Sequence, residues 1–577
     1  MASVLTQSFA APAGATTVQR LAPNALPRSA SFQRSAEVPS TPSRPRKWLK
    51  KEQATENMST GVELGMAGAF AATAILALMT GAQRRQSRRA STVLAFDKAS
   101  SIPRHAERRP SSPSSDKDLE PLPTWEAMRV DFQSTKFGVA LSRFDELCAA
   151  GRVSHTNAKV RYFGKGRGKP RVTLYRDQAV WCPNCQKVWL LLEAKRVDYA
   201  VIKVPMRSYG DKPDEFSKKV PRGLLPAIEI DGELMTESLE IMFKIETVFS
   251  DPARPMFPSV GRVRDGAVRL LELERALVGS WRAYLFRPGV LPLRGGNSTD
   301  FECALGQVDL ELSRNSTSPW FLHYDHPTIV DIQYVPLVER MVASCLYYKG
   351  YNIRENFPFI NRWLQEFEKL PYYIATKGDY YTHCMAIPPE YGLPFPNVSE
   401  EATLARRILS PQNAKLPIAT DIDKIEPATI GQQKVSVKEH CVKAAWALMR
   451  NNVAVTRFCC RALGNDVGDW ASRDSTKAEL ADPYARASQE FLDPVSAVLR
   501  AVTIVLLENP ENTTLLARRI LQAVSETEIN KDDLPKVALC LDYLRDRVGV
   551  PRDLDLPAAR LLRAHLGSAS AVLRDRA

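Results

Sequence analysis

The residues best placed to do chemistry are two thiols in Trp181-Cys-Pro-Asn-Cys185. A thiolate, not a thiol, is the nucleophile, and a helix N-terminus favours an anion through its unpaired N–H groups and dipole. Pro183 suits a first helical turn, where its missing N–H goes unneeded. Cys182 is therefore the candidate nucleophile. Cys185 is either a resolving thiol, giving dithiol turnover, or a small buried residue three positions along the helix. A zinc site would need two further ligands, and the sequence holds no second CxxC and no HxxxH, so no metal is expected.

The elements that must position Cys182 follow from the change in periodicity around it. Val172 to Tyr175 reads as a strand, Gln186 to Lys195 as a helix with Val188, Leu191 and Leu192 on one face, and Tyr199 to Val204 as a second strand. A helix over Asp214 to Lys219 leads to Leu224-Leu225-Pro226. Two short strands, Ala227 to Ile230 and Glu233 to Met235, flank Asp231-Gly232, a hairpin signal. Thr236-Glu237-Ser238 opens a helix to about Phe249. The order β-α-β-α-β-β-α with CxxC at the first helix start is that of a thioredoxin-like domain.

From Tyr175 to Glu246 the chain resembles the N-terminal domain of cysteine-type glutathione transferases, especially the omega class and plant dehydroascorbate reductases. Four pieces carry the likeness in order and spacing: Cys182-Pro-Asn-Cys-Gln, Lys212-Pro-Asp-Glu-Phe, Lys219-Val-Pro-Arg-Gly-Leu-Leu-Pro226 and Thr236-Glu-Ser238. The resemblance implies a glutathione site. Ser238 would bind the γ-glutamyl carboxylate through its N–H at a helix start, and Glu237 would pair with the γ-glutamyl amine. Leu225, before a cis Pro226, would meet the cysteinyl backbone as an added strand does. Lys212 would meet the glycyl carboxylate. Relatives with Ser or Tyr in place of Cys182 conjugate electrophiles. A cysteine instead attacks a disulfide or a dehydroascorbate-type oxidant, by way of a mixed disulfide with glutathione.

Beyond this unit the pattern is helical. Arg262 to Phe286 and Asp300 to Leu312 read as helices, and Thr328 and Asp331 stand at capping-box spacing before another reaching Tyr347. The resemblance extends through this all-helical second domain to about Tyr381. The acceptor would lie between the two domains, near aromatics such as Tyr347, Tyr348, Tyr372 or Tyr373, none singled out. Residues 382–432 are proline-rich and patternless, a linker. Residues 433–577 read as a further all-helical region with no nucleophile–base pair, metal spacing or phosphate loop. Its Cys459-Cys460 reads as core.

The whole chain therefore divides into a leader (1–60), an apolar segment (61–82), a disordered linker (83–122), a helical extension (123–170), the thioredoxin-like domain (171–250), the helical second domain (260–381), the linker and the terminal helices. Among its 577 residues, 78 Lys and Arg against 65 Asp and Glu give a net charge of +13. Residues 1–115 hold sixteen of the basic and only six of the acidic residues, so the body is nearly neutral and nucleic acid is not expected as a partner. The first acidic residue is Glu37, in a Ser-, Ala- and Pro-rich stretch that reads as an organellar transit peptide, plastid before mitochondrion. The uncharged run Leu64 to Ala82 is either a weak membrane anchor or the cleavable second element of a two-part leader. The expected function is a glutathione-dependent thiol transferase, with glutathione as co-substrate and a homodimer as a candidate assembly. The alternatives are a non-catalytic scaffold of the same fold, used at a membrane or in a complex, and conjugation of electrophiles.

Overall fold

The computed structural model describes residues 120–577 except 165, 167, 288–296, 315–316, 465–484 and 528. The leader, the apolar segment and nearly all of the 83–122 linker lie outside the described residues. Among those described, no helix is long and apolar enough to cross a membrane.

The first folded elements are α1 (Trp125–Ser134) and α2 (Lys136–Ala149), each opened by a threonine cap. Thr124 accepts from the Ala127 N–H at 3.2 Å and Thr135 from the Gly138 N–H at 3.0 Å. The sheet follows, in the order β1-β3-β2-β4-β5: β1 (Val160–Arg161), β2 (Val172–Asp177), β3 (Tyr199–Val204), β4 (Ala227–Ile230) and β5 (Glu233–Thr236). Strand β2 runs parallel to β3, with Val172 opposite Tyr199, and antiparallel to β4, with Val172 opposite Ile230. The short β1, which the sequence pattern does not reveal, adds an antiparallel edge to β3. Between β4 and β5, Asp231 and Gly232 both take positive φ, 52° and 89°, as a two-residue type I′ turn requires.

All six residues of β2 are buried, because both faces are covered. Helix α3 (Pro183–Ala194) packs between the sheet and the second domain, with Val188, Leu190, Leu191 and Leu192 at 0 % exposure. Helices α4 (Asp214–Lys219) and α5 (Ser238–Val248) complete the α/β domain. The second domain is built on α6 (Gly261–Phe286), α7 (Asn297–Ser313), α8 (Ile329–Ser344) and α9 (Pro358–Phe367). Every residue of α8 is buried. The expected box at its start is present: the Thr328 N–H and hydroxyl both donate to Asp331 Oδ2, at 2.9 and 2.8 Å.

The stretch 382–432 is not without structure. Helix α10 (Tyr380–Tyr391) runs through the expected boundary, and α11 (Glu400–Leu409) follows a Ser399 cap. Proline content misleads here for a local reason. Pro388 cannot donate to the Cys384 carbonyl, but the Tyr348 hydroxyl does, at 2.9 Å, so the missing helical bond is replaced from outside.

The terminal helices are α12 (Val437–Arg450), α13 (Asn452–Cys459), α14 (Leu492–Glu508), α15 (Thr513–Glu526), α16 (Leu534–Arg547) and α17 (Leu556–Arg576). They share one apolar core with α1 and α2. Phe132 stacks on Trp446 at 5.5 Å, and the Trp446 indole donates to Asp145 at 2.8 Å. The two segments that flank the sheet and second domain in sequence therefore form a single helical body.

Candidate functional site

Strand β2 ends at Asp177, which is 1 % exposed and organises the turn after it. Its Oδ2 accepts the N–H groups of Trp181 at 2.7 Å and Cys182 at 3.2 Å. Val180 between them takes φ 60°, a left-handed conformation rare for a β-branched residue and maintained by these bonds. The chain then enters α3 with Cys182 as N-cap and Pro183 as first helical residue. Cys182 Sγ is half-buried and accepts the Cys185 N–H at 3.4 Å, the role a capping oxygen usually fills. An anionic sulfur there is stabilised by that bond and by the helix dipole.

A second anchor comes from α8. Arg340, 1 % exposed, donates through Nε to the Trp181 carbonyl at 3.1 Å, with Nη2 bonded to the same oxygen, and through Nη1 to Gln186 Oε1 at 3.0 Å. The turn carrying Cys182 is thus held from the strand behind it and from the second domain above it.

Opposite Cys182 lies the turn into β4. The Leu225–Pro226 bond is cis, and the Leu225 carbonyl is 4.0 Å from Cys182 Sγ. Gly223, at φ +61°, lets this turn pass Lys212; a Cβ there would sit 3.2 Å from Lys212 Cδ and Cε. The Lys212 ammonium donates to the Pro205 carbonyl at 2.6 Å. Partial burial lowers its pKa, opposed by the charges of Cys185, Glu390, Cys182 and Asp177 nearby. Glu237 takes φ 70° at the N-cap of α5, and its carboxylate is 3.8 Å from Arg222, both side chains exposed. Ser238 is the first residue of α5, so its N–H has no partner within the helix. The structure brings Cys182, Cys185 and Leu225 into one cluster, with Lys212 coupled to it by charge. Glu237 and Ser238 stand at the start of the helix that follows β5.

Cys185 is 1 % exposed, and burial pushes its thiol well above the usual range, reinforced by Cys182 and Asp177. Asp177, Cys182 and Cys185 together offer three ligand atoms within 4.8 Å of one another. Asp177 Oδ2 already accepts two backbone N–H groups, so the carboxylate shapes the turn. A tetrahedral site would need a fourth ligand, and none stands with these three among the described residues.

Four further residues at the site carry no motif. Asp177 and Arg340 are described above. Tyr391, at the end of α10, packs edge-on to Trp181 at 5.5 Å and to Trp281 at 6.2 Å, with Arg282 over its ring at 5.2 Å. Beside it, Glu390 is pushed up to about 7 by burial and by Asp177, eased by Ser208 and Lys212, and its Oε1 is buried without a partner. Tyr391 and Glu390 fall in the stretch read as linker, which is why sequence patterning passed over them. Of the aromatics named from sequence, Tyr373 bonds to Glu339 at 3.2 Å and Tyr348 to Cys384, so both are committed to the buried framework.

Residues 181–248 match the model of the glutathione S-transferase N-terminal domain, and residues 301–366 that of the C-terminal domain. Glutathione S-transferase L3 of Arabidopsis thaliana is 26% identical over 199 residues, covering 34% of this chain and 79% of that protein. Pyrimidodiazepine synthase of Drosophila melanogaster is 30% identical over 229 residues, covering 37% of this chain and 86% of that protein. Among solved structures, dehydroascorbate reductase of Chlamydomonas reinhardtii is 22% identical with a TM-score of 0.30, covering 36% of this chain and 92% of that one. Helices α1, α2 and α12 to α17 lie outside both matched regions. With the two domain models matched in order and most of an insect relative spanned at 30% identity, the chain belongs to the glutathione S-transferase family.

Proposed function

We propose that the protein is a glutathione-dependent thiol transferase that works through Cys182 alone. The observation that carries this reading is the placement of Cys182 Sγ at the mouth of α3, 3.4 Å from a helix N–H and 4.0 Å from the carbonyl before cis Pro226. The family uses glutathione as co-substrate, and the cradle suits it. The Leu225 backbone would pair with the cysteinyl residue, Lys212 with the glycyl carboxylate, and Glu237 and the Ser238 N–H with the γ-glutamyl end.

In the first step Cys182 thiolate attacks the glutathionyl sulfur of a mixed disulfide. A Cys182–glutathione disulfide forms, and the substrate sulfur leaves as a thiolate that takes a proton from water. In the second, the thiolate of a free glutathione attacks the glutathionyl sulfur, releasing oxidised glutathione and restoring Cys182. The acceptor would approach past Tyr391, whose ring packs on the buried Trp181. The buried Cys185 takes no part as a nucleophile and serves as the N–H donor to Cys182. A plastid is the proposed compartment, on the composition of residues 1–60.

The test is a panel on chain lacking residues 1–115, with a glutathionylated peptide, dehydroascorbate and a chloro-nitrobenzene as substrates. Cys182→Ser is expected to abolish peptide deglutathionylation, and Cys185→Ser to keep at least a third of it. Loss in both variants would mean dithiol turnover. Activity on the chloro-nitrobenzene alone would mean conjugation, and none on any substrate a scaffold.

A further inference from the structure

The last turns of α6 border the path past Tyr391. Trp281 and Leu285 point into the core at 0 % exposure, while Arg282, one position round the helix, is exposed. Its neighbours a turn away on either side, Val278 and Phe286, are half-buried and apolar. A Cβ on the exposed Gly279 would meet nothing within 4 Å, so the guanidinium stands beside open space. Between Glu274 and Asp300 the sequence holds four arginines and no acidic residue, and Glu274 itself is buried against Lys187 at 3.5 Å.

Tyr391 joins Arg282 to the site. The guanidinium lies over the Tyr391 ring at 5.2 Å and donates to its hydroxyl, and Tyr391 packs on Trp181, the residue before Cys182. The charges that act most on that hydroxyl are Arg282, Cys182 and Arg340: burial and Cys182 push its pKa up, and the two arginines oppose them. Arg340 is buried and committed to the Trp181 carbonyl and Gln186. Arg282 has no ion-pair partner among the described residues. The carboxyl of Glu390, next to Tyr391 in sequence, answers instead to burial, Asp177, Ser208 and Lys212. An unpaired cation with apolar neighbours, on the approach to the reacting sulfur, attracts an anion and repels a cation.

We propose that Arg282 sets the charge preference of the acceptor: the thiol half of the mixed disulfide carries a carboxylate, which pairs with this guanidinium. The inference rests on the exchange at Cys182 and names the class of thiol that exchange serves, an acidic one. The covalent steps are those of the exchange itself, and Arg282 takes no part in them.

The test gives the full chain three glutathionylated tetrapeptides that differ only in Glu, Gln or Lys beside the cysteine. From wild type to Arg282→Met, the Glu-to-Lys ratio of kcat/KM is expected to fall about fivefold or more, a comparison that cancels the intrinsic reactivity of each disulfide. Arg282→Lys should keep part of the ratio, and the Kd of S-methylglutathione should stay within about twofold in both variants. In wild type alone, added salt should narrow the ratio, an arm that stands should a variant not fold. An unchanged ratio in folded Arg282→Met, an equal loss on all three peptides, or a wild-type ratio insensitive to salt would overturn the proposal and leave Arg282 as packing for Tyr391. Any of these results with the peptides still turned over removes only the role of Arg282. No turnover of any peptide by wild type removes the exchange at Cys182, and this inference with it.

Discussion

Cys182 and Cys185 are the same side chain in two environments, and that difference is what assigns the proposed exchange to Cys182. Cys182 is half-buried with its sulfur on the cleft, while Cys185 sits under the first turn of α3. Cys182 was legible in the sequence as the candidate nucleophile, but the role of Cys185 was not, because burial three positions along a helix depends on what packs above it. The carboxyl of Glu390 gives the site a titration of its own. Its pKa is raised to about 7, so it is neutral below that and anionic above, where it would compete for Lys212 with the ligand carboxylate proposed to bind there. The Kd of S-methylglutathione, which has no thiol to confuse the profile, is expected to rise severalfold between pH 6 and pH 8. Glu390→Gln should flatten that rise; a rise of equal size in the variant would remove Glu390 from the account. For folding the sign is the same. A carboxyl whose folded pKa exceeds its unfolded value binds more protons when folded, so stability falls as pH climbs from about 4.5 to about 7.

Elements were more legible than side chains wherever a local rule governs them. Asp231-Gly232 announces its hairpin by turn chemistry, and Thr328 and Asp331 announce the start of α8 by spacing. The proline-rich stretch was opaque because the Tyr348 hydroxyl that rescues the Cys384 carbonyl comes from 36 residues away. Strand β1 was opaque because two residues show no alternation. The box at α8 also does more than cap. Asp331 accepts from Phe321 N–H at 3.1 Å and the Trp363 indole at 3.0 Å besides both Thr328 donors, and it is 0 % exposed. Asp331→Ala would leave those donors buried and unpaired, at a loss of about 3 kcal/mol of unfolding free energy. Urea denaturation measures it directly; a loss under about 1 kcal/mol would show that water or neighbouring groups replace the carboxylate.

At the scale of the molecule, the family core occupies the middle of the chain and the flanking helices clasp it. Nothing in the sequence pairs Phe132 with Trp446, since contacts across three hundred residues leave no periodic trace. The seam is charged as well as apolar. Arg563 on α17 reaches Asp379 at 2.6 Å and the Val548 carbonyl at 2.5 Å. Burial pushes Asp379 up, yet Arg563 beside it holds its carboxyl below the usual carboxylate range. Arg563→Met would strand that buried charge and cost about 3–5 kcal/mol, while Asp379→Asn in the same chain should recover part of it. Thermal denaturation of the two variants separates these outcomes; a single variant as stable as wild type would mean the pair carries no net energy at the seam. The same seam reaches the chemistry. Glu339 accepts from the Gly378 N–H at 2.7 Å and lies next to Arg340, which holds Trp181.

The central claim is that the half-buried sulfur of Cys182 exchanges with glutathione. Intact-mass spectrometry after brief exposure to oxidised glutathione, followed by peptide mapping, tests it most directly. The account predicts one glutathionyl group per chain on Cys182, removed by reduced glutathione and absent in Cys182→Ser. A chain that stays unmodified at Cys182, or carries the group on another cysteine, would contradict it.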